Sequence, residues 1–300
     1  MFKDLKDFLD YLIHEKRYSK HTITSYSTDI SQLIQFAELQ YEIKEIDRIK
    51  HQIIRSWIVE LMQSGQKEKS INRKISSVRS FFNYLRKNDV VNKNPMQKIL
   101  APKIPKRLPS VIREDHLHKL FDKNIENMDF YNQRDLMIVE MLYCTGMRRI
   151  ELIGLEDVNV DLHQNKLKVL GKGNKERYIP LSDQLMTQIK NYIEARNEFF
   201  EKELFPALFV TNQGKRLYPK FVYNLVTRIL AKVSTASKRS PHVLRHSFAT
   251  HLTNNGADIN AIKSLLGHAN LGATQIYTHN SIEKLKEVYQ KSHPKALKRD

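Results

Sequence analysis

Apolar residues recur at helical spacing from the start of the chain. Phe2, Leu5, Phe8, Leu9, Leu12 and Ile13 mark one helix. Ser19 is placed to cap a second, which carries Ile23, Tyr26, Ile30, Leu33 and Ile34 on one face. Ile53, Ile54, Trp57, Ile58 and Leu61 mark a third, with Gly65 beyond its end. Ile71, Ile75, Val78, Phe81, Phe82 and Leu85 mark a fourth. Four amphipathic helices can close a small bundle, so residues 1–91 are predicted to form an all-helical domain. Residues 92–110 hold Pro95, Pro102, Pro105 and Pro109 among Lys98, Lys103, Lys106 and Arg107. Proline interrupts helix and strand alike, so this stretch is expected to be an extended basic linker between two domains that can close around a duplex.

From residue 111 to 300 the pattern is mixed. Helical spacing appears near 114–122, 132–144, 182–200, 219–234, 242–254 and 258–266. Leu167 to Leu170 and Tyr178 to Leu181 flank Gly171-Lys172-Gly173-Asn174-Lys175, the pattern of a β-hairpin. A last helix over Ser281 to Lys291 carries Ile282, Leu285, Val288 and Tyr289. Such a stripe serves self-packing or docking on a second copy equally well. The expected fold class is mainly α with a small β-sheet: a helical-bundle N-terminal domain followed by a mixed α+β domain.

Charge sharpens the picture. The chain of 300 residues has a formal net charge of +17, and both halves share the excess. A folded chain that is basic throughout suits a long polyanion, above all nucleic acid. On the fourth helix, Lys67, Lys69, Arg73, Lys74, Arg79, Arg86 and Lys87 lie on or beside the face opposite the apolar one, with few acids near them in sequence. That is the expected pattern of a helix set against DNA phosphates. Lys220 and Arg228 are further candidates for DNA contact. A single cysteine, Cys144, leaves no internal disulfide and no cysteine-rich zinc module. The first ten residues lack the apolar core of a secretion signal, and no apolar run is long enough to span a membrane, so the expected location is cytoplasmic.

Several segments carry candidate chemistry. In Ser240-Pro241-His242-Val243-Leu244-Arg245-His246, His242 and Arg245 stand three apart and share a helix face. A guanidinium beside an imidazole can hold an anionic oxygen and move a proton. His242 and His246 have zinc-ligand spacing, but neither an intervening Glu nor a nearby Cys completes a zinc motif. Thr145-Gly146-Met147-Arg148 sets an arginine just past a helix-ending glycine. Lys172 sits between two glycines at the hairpin tip, without the spacer or the Ser/Thr of a phosphate loop. Leu266-Gly267-His268 and Gln275-Ile276-Tyr277-Thr278-His279 follow.

Taken in order, these segments, with Gly171 through Arg177, resemble the active-site motifs of the tyrosine recombinase (phage integrase) family, and most of all its Xer-type members. The likeness spans the whole chain, down to His293-Pro294-Lys295-Ala296. It implies that Tyr277 is the nucleophile and that Arg148 and Arg245 clamp the scissile phosphate. It further implies that Lys172 protonates the leaving 5′ oxygen, His242 serves proton transfer and His268 bonds the phosphate. No cofactor and no metal are implied. The implied partners are double-stranded DNA with a specific recombination site, three further protomers (identical or of a second recombinase) on two such sites, with the last helix docked in trans, and a septal DNA translocase. The implied activity is cleavage and rejoining of DNA through a 3′-phosphotyrosyl link, either in chromosome dimer resolution or for a mobile element. Ile150 departs from the serine usual in Xer-type relatives, and Leu297 to Asp300 extend past their usual ending. A type IB topoisomerase would use similar chemistry on one duplex; the separate basic bundle and the last helix favour a recombinase.

Overall fold

The structure, a computed structural model, describes residues 1–104, 110–122, 128–171, 175–202, 205, 207–234, 239–267 and 279–295, the first six of the last stretch by backbone alone. The chain divides into two compact units, Met1–Arg107 and Leu108–Asp300.

The first unit is a bundle of α1 (Phe2–His14), α2 (Lys20–Tyr41), α3 (His51–Gln63) and α4 (Glu68–Lys87). The Ser19 side chain accepts from the Thr22 backbone N–H at the start of α2, satisfying one orphan donor of that helix end. Gly65 lies just past α3 with φ +75°. Leu33, Ile34, Trp57, Ile75, Val78, Phe81 and Phe82 are buried between the helices. The Phe8 ring meets Phe81 and Tyr84, each at 5.3 Å between centroids. Each such side chain stabilises the bundle by roughly 1.5–3 kcal/mol through burial.

Two expectations for this unit change. Lys74 is not free for phosphate: it is buried, and its Nζ lies 3.3 Å from Oδ1 of Asp29, which is itself fully buried on α2. Arg73 is exposed, yet its guanidinium forks onto both Asp29 oxygens, and Ser77 donates to Oδ2 at 2.8 Å. The acid was invisible from α4 because it comes from a helix more than forty residues earlier. Lys67, Lys69, Arg86 and Lys87 remain on the exposed face. The second change concerns the proline-rich stretch. Pro95–Lys98 form a short 3₁₀ helix capped by Asn94, and Met96 and Ile99 enter the first core. Side chains on the bundle then hold its carbonyls: Arg55 donates to Lys98, Arg79 to Ile99 and Asn72 to Pro102.

The second unit is built around α6 (Phe130–Thr145), which is buried on nearly every side and so shows no single apolar stripe. Around it pack α8 (Asp183–Phe199), α9 (Pro219–Ala231) and α10 (Pro241–Asn254). The other elements are α5 (Glu114–Phe121), α7 (Arg149–Ile153), α11 (Ile259–Leu266) and a three-stranded antiparallel sheet. Its order is β1 (Val160–Asp161), β2 (Lys166–Leu170), β3 (Glu176–Pro180), with Leu167 opposite Ile179 and Val169 opposite Arg177. Pro180 ends an edge strand, where a missing N–H costs no ladder bond.

For the last helix, α12 (His279–Ser292), the stripe allows self-packing or docking, and the resemblance implies docking on a neighbouring protomer. Here it packs on its own unit, against α10, α11 and β3. Leu285, Tyr289 and His293 are buried, and Lys295 Nζ reaches Glu140 Oε1 on α6 at 3.1 Å.

Candidate active site

The site begins where α6 stops. Gly146 takes a left-handed conformation, φ +58°, and turns the chain so that Arg148 stands at the head of α7. A Cβ at Gly146 would lie 2.5 Å from Phe248 Cδ1 and 2.9 Å from Leu266 Cδ2, so only glycine fits this turn. Glu151, in the first turn of α7, binds Arg148 twice. Its Oε2 accepts from the Arg148 backbone N–H at 2.7 Å, and its Oε1 accepts from Nη1 at 2.8 Å. Arg148 remains 38% exposed at its side chain, whereas Glu151 is 4% exposed. Arg149 instead donates to the Pro219 carbonyl.

Arg245 comes from the second turn of α10. Its Nη1 donates to the Gly146 carbonyl at 2.6 Å and its Nη2 to Leu266 O at 2.7 Å. One arginine thus ties the end of α6 to the end of α11. Burial, and next the nearby Arg148 charge, pull the Arg245 pKa down to about 10, still cationic at neutral pH. Two guanidinium groups held this close create a strongly positive spot that favours an anion. His242 stands one turn earlier on α10 and is exposed, on the same side as Arg245. Arg148 and Arg245 are therefore brought together from residues nearly a hundred apart in sequence, with His242 at their edge. Lys172, His268 and Tyr277 lie outside the described residues.

Two charged residues that sequence reasoning assigned no role complete the arrangement. Arg177, on β3, is 3% exposed. Its Nη2 donates to Glu151 Oε2 at 2.8 Å, its Nη1 to Oε1 at 3.1 Å and its Nε to Leu265 O at 2.9 Å. Burial raises the Glu151 pKa, but hydrogen bonds and charge from Arg177 and then Arg148 outweigh it, and the net shift is downward. The last two carbonyls of α11 thus receive one arginine each, Leu265 from Arg177 and Leu266 from Arg245, which satisfies the orphan acceptors of that helix end. Burial of a charge leaves no trace in local sequence, so the only available signal was the motif position of Glu151 and Arg177. Among the described residues, no three His, Cys, Asp or Glu side chains gather as a metal site.

Residues 110–284 match the phage integrase family, and residues 5–89 match the phage integrase N-terminal SAM-like domain. This chain belongs to the phage integrase family. Among its relatives in the family, the tyrosine recombinase XerC of Listeria innocua is 38% identical, over 97% of this chain and 97% of its own. That of Chlorobaculum parvum is 35% identical, over 97% and 94%. Solved structures share the family fold. The Tn1549 transposon integrase in complex with transposon right end DNA superposes with a TM-score of 0.70 at 19% identity, over 95% of this chain and 98% of that one. XerH recombinase bound to its difH substrate gives 0.66 at 22%, over 94% and 82%.

Proposed function

We propose that this chain is a Xer-type site-specific recombinase that cuts and rejoins double-stranded DNA through Tyr277, in the resolution of chromosome dimers. The observation that carries the reading is the meeting of the Arg148 and Arg245 charges, from the head of α7 and the second turn of α10, in a family member related to XerC proteins over 97% of its length. Recombination for a mobile element would use the same site.

A phosphodiester repels nucleophiles and its alkoxide leaves poorly. In this reading the Tyr277 oxygen attacks phosphorus and forms a new P–O bond, with His242 taking part in transfer of the phenolic proton. Charge gathers on the non-bridging oxygens, where Arg148, Arg245 and His268 donate. The bond to the 5′ oxygen breaks, and Lys172 supplies that oxygen's proton. The products are a 3′-phosphotyrosine and a free 5′ hydroxyl. A 5′ hydroxyl from a partner strand reverses the attack, so the energy of the broken ester is kept in the protein–DNA link. Removing one pre-placed donor slows such a step on the order of 10²–10³-fold.

The first unit is the DNA-binding domain in this reading, gripping phosphates through Lys67, Lys69, Arg86 and Lys87, and the second is the catalytic domain. Strand exchange needs two duplexes and two cuts on each, which calls for four protomers, identical or of two kinds. A septal DNA translocase is the fitting partner for an enzyme acting on chromosomes at division. The location is the cytoplasm, consistent with the lack, among the described residues, of any helix long and apolar enough to cross a membrane.

The test compares Tyr277→Phe with the wild type on a nicked duplex, built on the sequence the wild type selects from random DNA. The wild type is expected to accumulate a covalent adduct that survives denaturation. Tyr277→Phe is expected to bind with unchanged affinity and give none. An adduct formed by the phenylalanine variant would remove Tyr277 from the mechanism.

A further inference from the structure

The Arg177 guanidinium is one of two that bond the Glu151 carboxylate, and it is the buried one, 3% exposed. Its stem and head also run between two glycine backbones. A Cβ on Gly267 would meet Arg177 Cδ at 3.1 Å and Nη1 at 3.2 Å, and a Cβ on Gly171 would meet Nη1 at 3.6 Å. Gly171 immediately precedes Lys172 in the sequence, and Gly267 immediately precedes His268. Arg177 therefore touches, at once, the carboxylate that holds Arg148, the last turn of α11, and the two backbone positions from which the chain runs on to the other phosphate-handling candidates.

We infer that Arg177 is a positioning residue for DNA cleavage: it neutralises Glu151 so that Arg148 keeps its positive charge for the phosphate, and it sets Arg148 and the end of α11 in one geometry. This rests on the recombinase reading above. The electrostatic half follows from counting. With Arg177 present, the Glu151 carboxylate is shared by two arginines, and Arg148 retains surplus charge. Without it, Glu151 would be paired with Arg148 alone, and the pair would be close to neutral toward an incoming phosphate. Glu151 and Arg177 are both buried, so water does little to screen that difference at its source. The buried side chain never reaches DNA itself, so its effect belongs on the chemical step and not on affinity.

The experiment measures single-turnover adduct formation at saturating protein on the selected nicked duplex, together with DNA affinity and thermal unfolding. Arg177→Met is expected to slow adduct formation on the order of 10- to 100-fold, below the loss for a donor that touches phosphate, with affinity nearly unchanged. Arg177→Lys keeps the charge without the fork and is expected to fall between. The deciding variant is the double change Arg177→Met with Glu151→Gln. If Arg177 works by neutralising Glu151, removing that carboxylate relieves the defect, and the double variant cuts at least about threefold faster than Arg177→Met alone, as coupled neighbours do. A purely structural arginine gives losses in rate that follow loss of folded protein and that add in the double variant; that result overturns the inference, as does wild-type cleavage by folded Arg177→Met. A wild-type chain that yields no Tyr277-dependent adduct instead overturns the recombinase reading, and this inference with it.

Discussion

Replacing Gly146 with alanine tests how the α6 turn supports the site. The residue sits at φ +58°, where a side chain costs roughly 1–2 kcal/mol of backbone strain. The new methyl would also meet the Phe248 ring at 2.5 and 2.8 Å and Leu266 Cδ2 at 2.9 Å, all inside normal contact. Both neighbours are buried, at 0% and 6% exposure, so neither can swing into solvent, and overpacking of this kind adds about 1–3 kcal/mol. The total is about 2–5 kcal/mol. Gly256 supplies the control within the same unit. Its φ is +81°, but nothing lies within 4 Å of a Cβ there, so Gly256→Ala carries the strain alone, roughly 1–2 kcal/mol. In scanning calorimetry, Gly146→Ala should lower the second unit's transition by roughly 10 °C and Gly256→Ala by roughly 3 °C. Trp57 is the only tryptophan and lies in the first unit's core, so its fluorescence identifies that unit's transition separately. Gly146→Ala should also cut DNA poorly at temperatures where it is folded, because the Gly146 carbonyl that holds Arg245 must move with the turn. Equal losses for the two alanine variants would refute the packing argument.

Two further outcomes follow from buried charge. Burial lowers the pKa of His251 to about 4 and of His293 to about 3, while an unfolded histidine titrates near its ordinary value of 6.5. The unfolded state then binds more protons, so stability is full above that ordinary value and is lost as pH falls toward the folded values; the second unit should lose roughly 3–4 kcal/mol between about pH 7 and about pH 5 in urea titrations. A flat profile over that window would mean that both rings are hydrated or already charged when folded. In the first unit, Asp29→Ala removes the charged partner of buried Lys74, which keeps only the neutral Gln32 Oε1 as acceptor, and the urea midpoint followed by Trp57 fluorescence should report a loss of about 3–5 kcal/mol. A loss under about 1 kcal/mol would show that Gln32 alone suffices to hold the Lys74 charge.

The linear pattern by itself determined where the helices lie, because each buries a stripe whose spacing is set by the helical repeat. Ile71 through Leu85 spelled α4, and the runs on either side of Lys172 spelled β2 and β3, to within a residue or two. It did not reveal α7, whose five residues are too few to show a period. The candidate residues were legible through motif order alone, since each glycine, arginine and histidine is ordinary in isolation. Only the tertiary structure decided which charges are spent on the protein itself. Lys74 and Arg177 look like surface cations in the sequence, but the acids that hold them, Asp29 and Glu151, come from other elements. It also decided that Met96 and Ile99 belong to the first core. The physical reason is common to all of these. Periodicity records which face of an element meets other protein, whereas the partner on that face is fixed by packing between segments far apart along the chain.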